Sequence, residues 1–93
     1  MTTRTIQTVA EDLATMSDWC YDLAESGRAT KTDYFETLRD MAHRLADHGW
    51  FVDEVFAFQI AMRRAVTDTR DEDLARDLFR LHDLLNEWGA LTT

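Results

Sequence analysis

Cys20, His43, His48 and His82 are the first side chains to ask for chemistry, since thiolate and imidazole are common metal ligands and acid–base groups. His43 and Asp47 stand four residues apart, so on a helix both can face one ion. No further ligand pattern joins them. The chain has no HExxH, no CxxC and no Glu-x-x-His of the kind di-iron bundles use. His43 and His48 fall toward the polar margin of their segment, and His82 flanks an apolar seam. Cys20 lies on an apolar seam with no basic residue at i±3 or i±4, the setting of a buried, inert thiol. Gly27, Gly49 and Gly89 are too far apart to cradle a phosphate, and Ser17 and Ser26 sit in no nucleophile motif. The expectation is a protein that is not an enzyme, with no metal and no cofactor. A metal- or small-molecule-binding bundle built on His43 and Asp47 is the remote alternative.

Carboxylates are the abundant groups. Asp and Glu number 18 against 10 Lys and Arg, a net charge of -8. Binding phosphate normally requires a basic face, so direct nucleic-acid binding and anionic membrane surfaces are disfavoured. The negative charge is also uneven. From Thr5 to Ser26 the chain carries Glu11, Asp12, Asp18, Asp22 and Glu25 and no basic residue. On a helix Glu11, Asp18, Asp22 and Glu25 project within roughly 60° of one another, a stripe about 21 Å long. Trp19 and Tyr21 flank that stripe on opposite sides. Like charges at i, i+4, such as Asp18 and Asp22, oppose helix formation slightly. The segment after Thr69 mixes its signs instead, with Glu72 and Arg76, Asp77 and Arg80, and Arg80 and Asp83 in range of one another.

Helices are the elements that must carry these groups. Proline is absent, and each glycine falls where an apolar helical pattern ends, the usual place of a C-terminal cap. The spacing predicts four helices, at about 5–26, 33–48, 51–66 and 70–88. Ile6, Val9, Leu13, Met16, Cys20 and Leu23 form the first seam, with Thr8 and Glu11 as a capping box if that helix starts late. Tyr34, Leu38, Met41 and Leu45 form the second, widened by Phe35 and Ala42. Leu74, Leu78, Leu81, Leu85 and Trp88 form the fourth. Asp33 with Glu36 and Thr69 with Glu72 read as capping boxes. Gly89 is expected to end the last helix. The stretch "GWFVDEVFAF" opens the third helix, which is apolar nearly all round and is expected to be the most buried. Gly49 closes the second helix, and Trp50 folds back over its end. The architecture expected is all-α: one domain over 1–93, a compact four-helix bundle, antiparallel with short loops.

One cysteine permits no intrachain disulfide, and no segment approaches the ~20 apolar residues of a membrane helix. The N-terminal stretch has no apolar signal core. The expected compartment is the cytoplasm.

The leading functional expectation is a small acidic protein-binding module, an inhibitor or adaptor that occupies a basic surface. In size, charge and compactness the chain is similar to small acidic inhibitors that phages make against host nucleic-acid enzymes, without a motif that identifies a family. Its partner would then be a basic, nucleic-acid-binding protein, and its acids would imitate a nucleic-acid backbone. The contact residues would be Glu11, Asp18, Trp19, Tyr21, Asp22 and Glu25. The alternative is a homo-oligomerising protein, a homodimer at its simplest, that self-associates through Trp50, Phe51 and Phe58.

Overall fold

The computed structural model describes residues 4–92. Four helices follow one another: α1 (Ile6–Leu23), α2 (Asp33–His48), α3 (Val52–Asp68) and α4 (Glu72–Thr92). Each packs antiparallel to the next. Arg44 reaches Glu54 between α2 and α3, and Trp19 reaches Asp77 between α1 and α4. The arrangement is an all-α helical bundle, as the seam spacings predict. One apolar cluster, drawn from all four helices, fills it.

The start of α1 is set by Thr5, whose Oγ1 accepts from the Thr8 amide at 3.1 Å; Thr8 and Glu11 therefore lie inside the helix, not at its cap. Its end is a wide π-type turn over Ala24–Arg28, where Gly27 takes φ +97° and releases the chain. Thr32 caps α2 without a side-chain bond, so Asp33 and Glu36 act as first-turn acids facing the helix dipole. Asp71, not Thr69, caps α4: its Oδ1 accepts from the amides of Asp73 (2.7 Å) and Leu74 (3.4 Å). Thr69 instead donates its hydroxyl to the Ala65 carbonyl at the end of α3.

Two connections hold the ends. At one end Ala29 and Thr69 form an isolated antiparallel bridge, with the Thr30 amide on the Asp68 carbonyl (3.0 Å) and the Arg70 amide on the Arg28 carbonyl (3.1 Å). This pairing satisfies backbone groups that two loops would otherwise leave to water. At the other end Gly49, at φ +81° and ψ 177°, donates its amide to the Leu45 carbonyl and turns the chain from α2 to α3. Trp50 folds back as expected. Its Nε1 donates to the Met41 carbonyl at 2.8 Å, and its ring packs 4.9 Å from Phe58 and 5.5 Å, edge-on, from Trp88.

Two expectations are corrected. The central helix is α1, not α3. Its buried face is largely small: Ala10, Ala14, Ser17 and Cys20 accompany Val9 and Leu13, and Ala24 continues the face into the turn. Small side chains let neighbouring helices come close, so α1 packs along both α2 and α4. By contrast α3 buries only Phe58, Ala61, Met62 and Ala65. It leans on α2, touches α4 more lightly, and leaves much of its apolar arc outside. The second correction is Gly89, which lies within α4. It has no positive φ, and the helix runs on to Thr92.

Candidate functional site

The carboxylate stripe of α1 lies along its seam with α2. Three cross-contacts define that seam. Gln7 donates to the Ala46 carbonyl (2.8 Å) as well as to Glu11 (3.3 Å). His43 Nε2 lies 2.8 Å from Asp18 Oδ1. The Arg39 guanidinium sits 4.0 Å over the Tyr21 ring. On α2, Glu36, Asp40 and Asp47 project toward the same outer side as His43. Glu11, Asp22, Glu25, Glu36, Asp40 and Asp47 are all exposed. With Asp18 they place seven carboxylates along this flank, against Arg39 and His43. Arg44 reaches away from the flank to Glu54 of α3.

These bases do not neutralise the flank. Arg39 approaches Asp40 at 3.6 Å, and His43 is taken by Asp18. Asp18 is therefore a bonded group, and its role includes joining α1 to α2. His43 accordingly pairs across the helix interface with Asp18, where the i, i+4 spacing had suggested Asp47 as its companion. Tyr21 is half-buried. A hydrogen bond with the Glu25 carboxylate, with burial and further negative charge, raises its phenol above the ordinary value of 10.0. Trp19 turns the other way, toward α4, and donates Nε1 to Asp77 Oδ2 at 2.8 Å. Its ring remains 55% exposed. Of the six residues expected to meet a partner, Glu11, Asp22 and Glu25 are exposed and in no ion pair among the described residues, although Glu11 accepts from Gln7 and Glu25 bonds Tyr21. Asp18 and Tyr21 are partly engaged within the chain, and Trp19 stands on the far side of α1.

Among the described residues no three His, Cys, Asp or Glu side chains are placed to hold a metal ion. His82 is exposed, with Nδ1 3.4 Å from Asn86. Cys20 is fully buried. No helix among the described residues is long and apolar enough to cross a membrane. No family model, curated protein or solved structure matches this chain. Its own surfaces are therefore what bears on its role.

The second expected surface is relocated. Phe58 is fully buried and Trp50 is half-buried in the aromatic cluster, so of Trp50, Phe51 and Phe58 only Phe51 is presented to solvent. The exposed apolar groups nearby are Val52, Phe56, Ile60 and Val66 on α3, with Phe79 across from Val66 on α4. A shallow groove runs between the two helices, lined by Met62, Arg63, Val66, Leu78, Phe79 and His82. This flank lies opposite the acidic seam. The signal was in the sequence as the i, i+4 series Val52, Phe56, Ile60. It was masked because Phe58 and Met62 continue the apolar arc round to the core.

Proposed function

We propose that this chain is a protein-binding module that docks a basic protein surface with the acidic seam between α1 and α2, acting as an inhibitor or adaptor without a catalytic centre of its own. One observation supports this most: seven carboxylates share one flank on which, among the described residues, Arg39 and His43 stand against them and Arg44 at its edge reaches to Glu54. Such a concentration of charge steers a basic partner and raises its association rate. A partner whose own ligand is nucleic acid fits best, because its basic channel already matches a row of anionic groups. The module then works by occupancy: its helical body excludes the normal ligand, and its charges hold it in register. Asp18 and His43 brace the two helices that display the row.

Affinity capture from native lysate, read by mass spectrometry, tests this. The reading requires a basic protein that binds the wild type, elutes with rising salt, and binds a Glu11→Lys/Asp22→Lys variant on the order of tenfold more weakly, the effect of ~1.4 kcal/mol in lost rim attraction. Both positions are exposed, so circular dichroism of the variant should match the wild type. A partner that holds both forms equally well would overturn the proposal.

A further inference from the structure

The flank opposite the acidic seam has a different character. Among the described residues, the exposed large hydrophobic side chains are Ile6, Trp19, Phe51, Val52, Phe56, Ile60, Val66 and Phe79. Six of the eight lie on α3, at its entry, or on the adjoining face of α4. Phe51 is 79%, Phe79 63%, Phe56 59% and Ile60 53% exposed. Large apolar side chains gathered in this way on one flank, here with exposed Gln59 and Arg63 among them, mark a contact site.

Charge on this flank identifies what it contacts. The outward side of α3 carries Asp53 near its N-terminal end and Arg63 and Arg64 near its C-terminal end, all exposed. None of the three is in an ion pair among the described residues, whereas Glu54, on the inner side, meets Arg44. Arg64 rests 5.8 Å over the Tyr34 ring, a contact that leaves its charge unneutralised. The face is therefore negative at one end, apolar in the middle and positive at the other. A surface with that polarity is complementary to itself when turned end over end.

We infer that α3 pairs antiparallel with α3 of a second copy of this chain, forming a two-fold dimer centred near Phe58. One register satisfies both kinds of contact. The midpoint between Phe56 and Ile60 and the midpoint between Asp53 and Arg64 coincide within about half a residue, or less than one ~1.5 Å helical rise. Phe56 of each copy thus meets Ile60 of the other, while Asp53 meets Arg64 at the rim. Asp53 and Arg64 lie on the same lateral side of their helix, Phe56 and Ile60 lie close to either side of its outward midline, and a two-fold axis across antiparallel helices preserves that side. Phe79 stands beside the Met62–Val66 level of α3, which the same register sets against Val52 of the second copy. The contact thereby draws on α4 as well, and it covers the groove that the light α3–α4 packing leaves open.

The net charge of -8 opposes any self-association, but the geometry limits its effect. The acidic seams of α1 and α2 lie on the far sides of the two copies, separated by the full thickness of both bundles. That separation exceeds the ~8 Å screening length of physiological salt. The local charges at the contact are of opposite sign. The dimer also leaves both acidic seams open, so it is independent of the docking role proposed for them.

Sedimentation equilibrium and light scattering of the full chain over a range of concentrations test the inference. A reversible monomer–dimer equilibrium is expected. Phe56→Ser should weaken it roughly hundredfold, since an aromatic anchor is lost twice in each dimer. Asp53→Arg should weaken it about tenfold by setting two positive charges against each other at each rim, and Asp53→Arg/Arg64→Asp should restore it. All these positions are exposed, and circular dichroism checks that each variant folds. A monomer at every concentration would overturn the dimer, leaving the flank to another kind of partner. So would a dimer indifferent to Phe56→Ser. A double variant that fails to recover would overturn the antiparallel register.

Discussion

At the scale of single residues, burial decides what Cys20 does. The thiol is enclosed by the core, and loss of solvent, with the Asp77 carboxylate adding to it, pushes its pKa from 9.0 up to about 12. A thiol held protonated in this way is a poor nucleophile. The pH consequence follows from the direction. The unfolded chain releases the Cys20 proton near its ordinary value, while the folded chain keeps it. The associated stability is therefore intact below about pH 9 and is lost as pH rises toward about 12. Cys20→Ala lacks that loss. Urea unfolding of both proteins should show the wild type falling relative to the variant by about 1 kcal/mol between about pH 9 and about pH 10. Parallel curves would mean that the site is wetter than the structure places it. The inert thiol was legible from seam position alone. The pairing of Asp18 with His43 was not, because it depends on how far α1 slides along α2.

At the scale of elements, the three glycines looked alike in sequence and differ in structure. Gly49 holds φ +81° with an extended ψ, a combination that essentially only glycine adopts. Gly89 sits in ordinary helical backbone, and an added Cβ there meets nothing within 4 Å. Substitution by alanine should therefore move stability in opposite directions. Gly49→Ala should destabilise by about 1–3 kcal/mol through backbone strain, and Gly89→Ala should stabilise by about 0.5–1 kcal/mol through helix propensity. Thermal unfolding of the two variants beside the wild type measures both signs. If Gly89→Ala lowered the midpoint, α4 would end there after all. The helix seams were readable because leucine and phenylalanine recur at helical spacing. Which helix is central was not readable from hydrophobicity. The most apolar segment became an outer helix, and the helix with alanine and serine on its inner face took the centre, because close approach favours small side chains.

At the scale of the whole molecule, attraction and repulsion among surface charges compete. Arg4 joins Asp12 and Glu87, and Arg28 joins Asp71 and Asp73. These pairs are partly exposed at the surface, where such pairs typically contribute only about 0–1 kcal/mol each. Against them stands an excess of eight negative charges over the chain, with seven of its carboxylates along one flank of α1 and α2. Like-charge repulsion on that scale works against the compact state. Raising ionic strength from very low to physiological shortens the Debye length from about 30 Å to about 8 Å. This weakens the many long-range repulsions more than the few short contacts. Salt should therefore stabilise the fold, and the urea midpoint at a fixed, dilute protein concentration should rise with sodium chloride over that range. Lowering the charge should imitate the salt: Asp22→Asn/Glu25→Gln should raise the midpoint at low salt and reduce its further rise. If salt lowered the midpoint instead, the scattered ion pairs would outweigh the acidic flank. The concentrated field on which docking of a basic partner depends would then be weaker than the count of carboxylates implies.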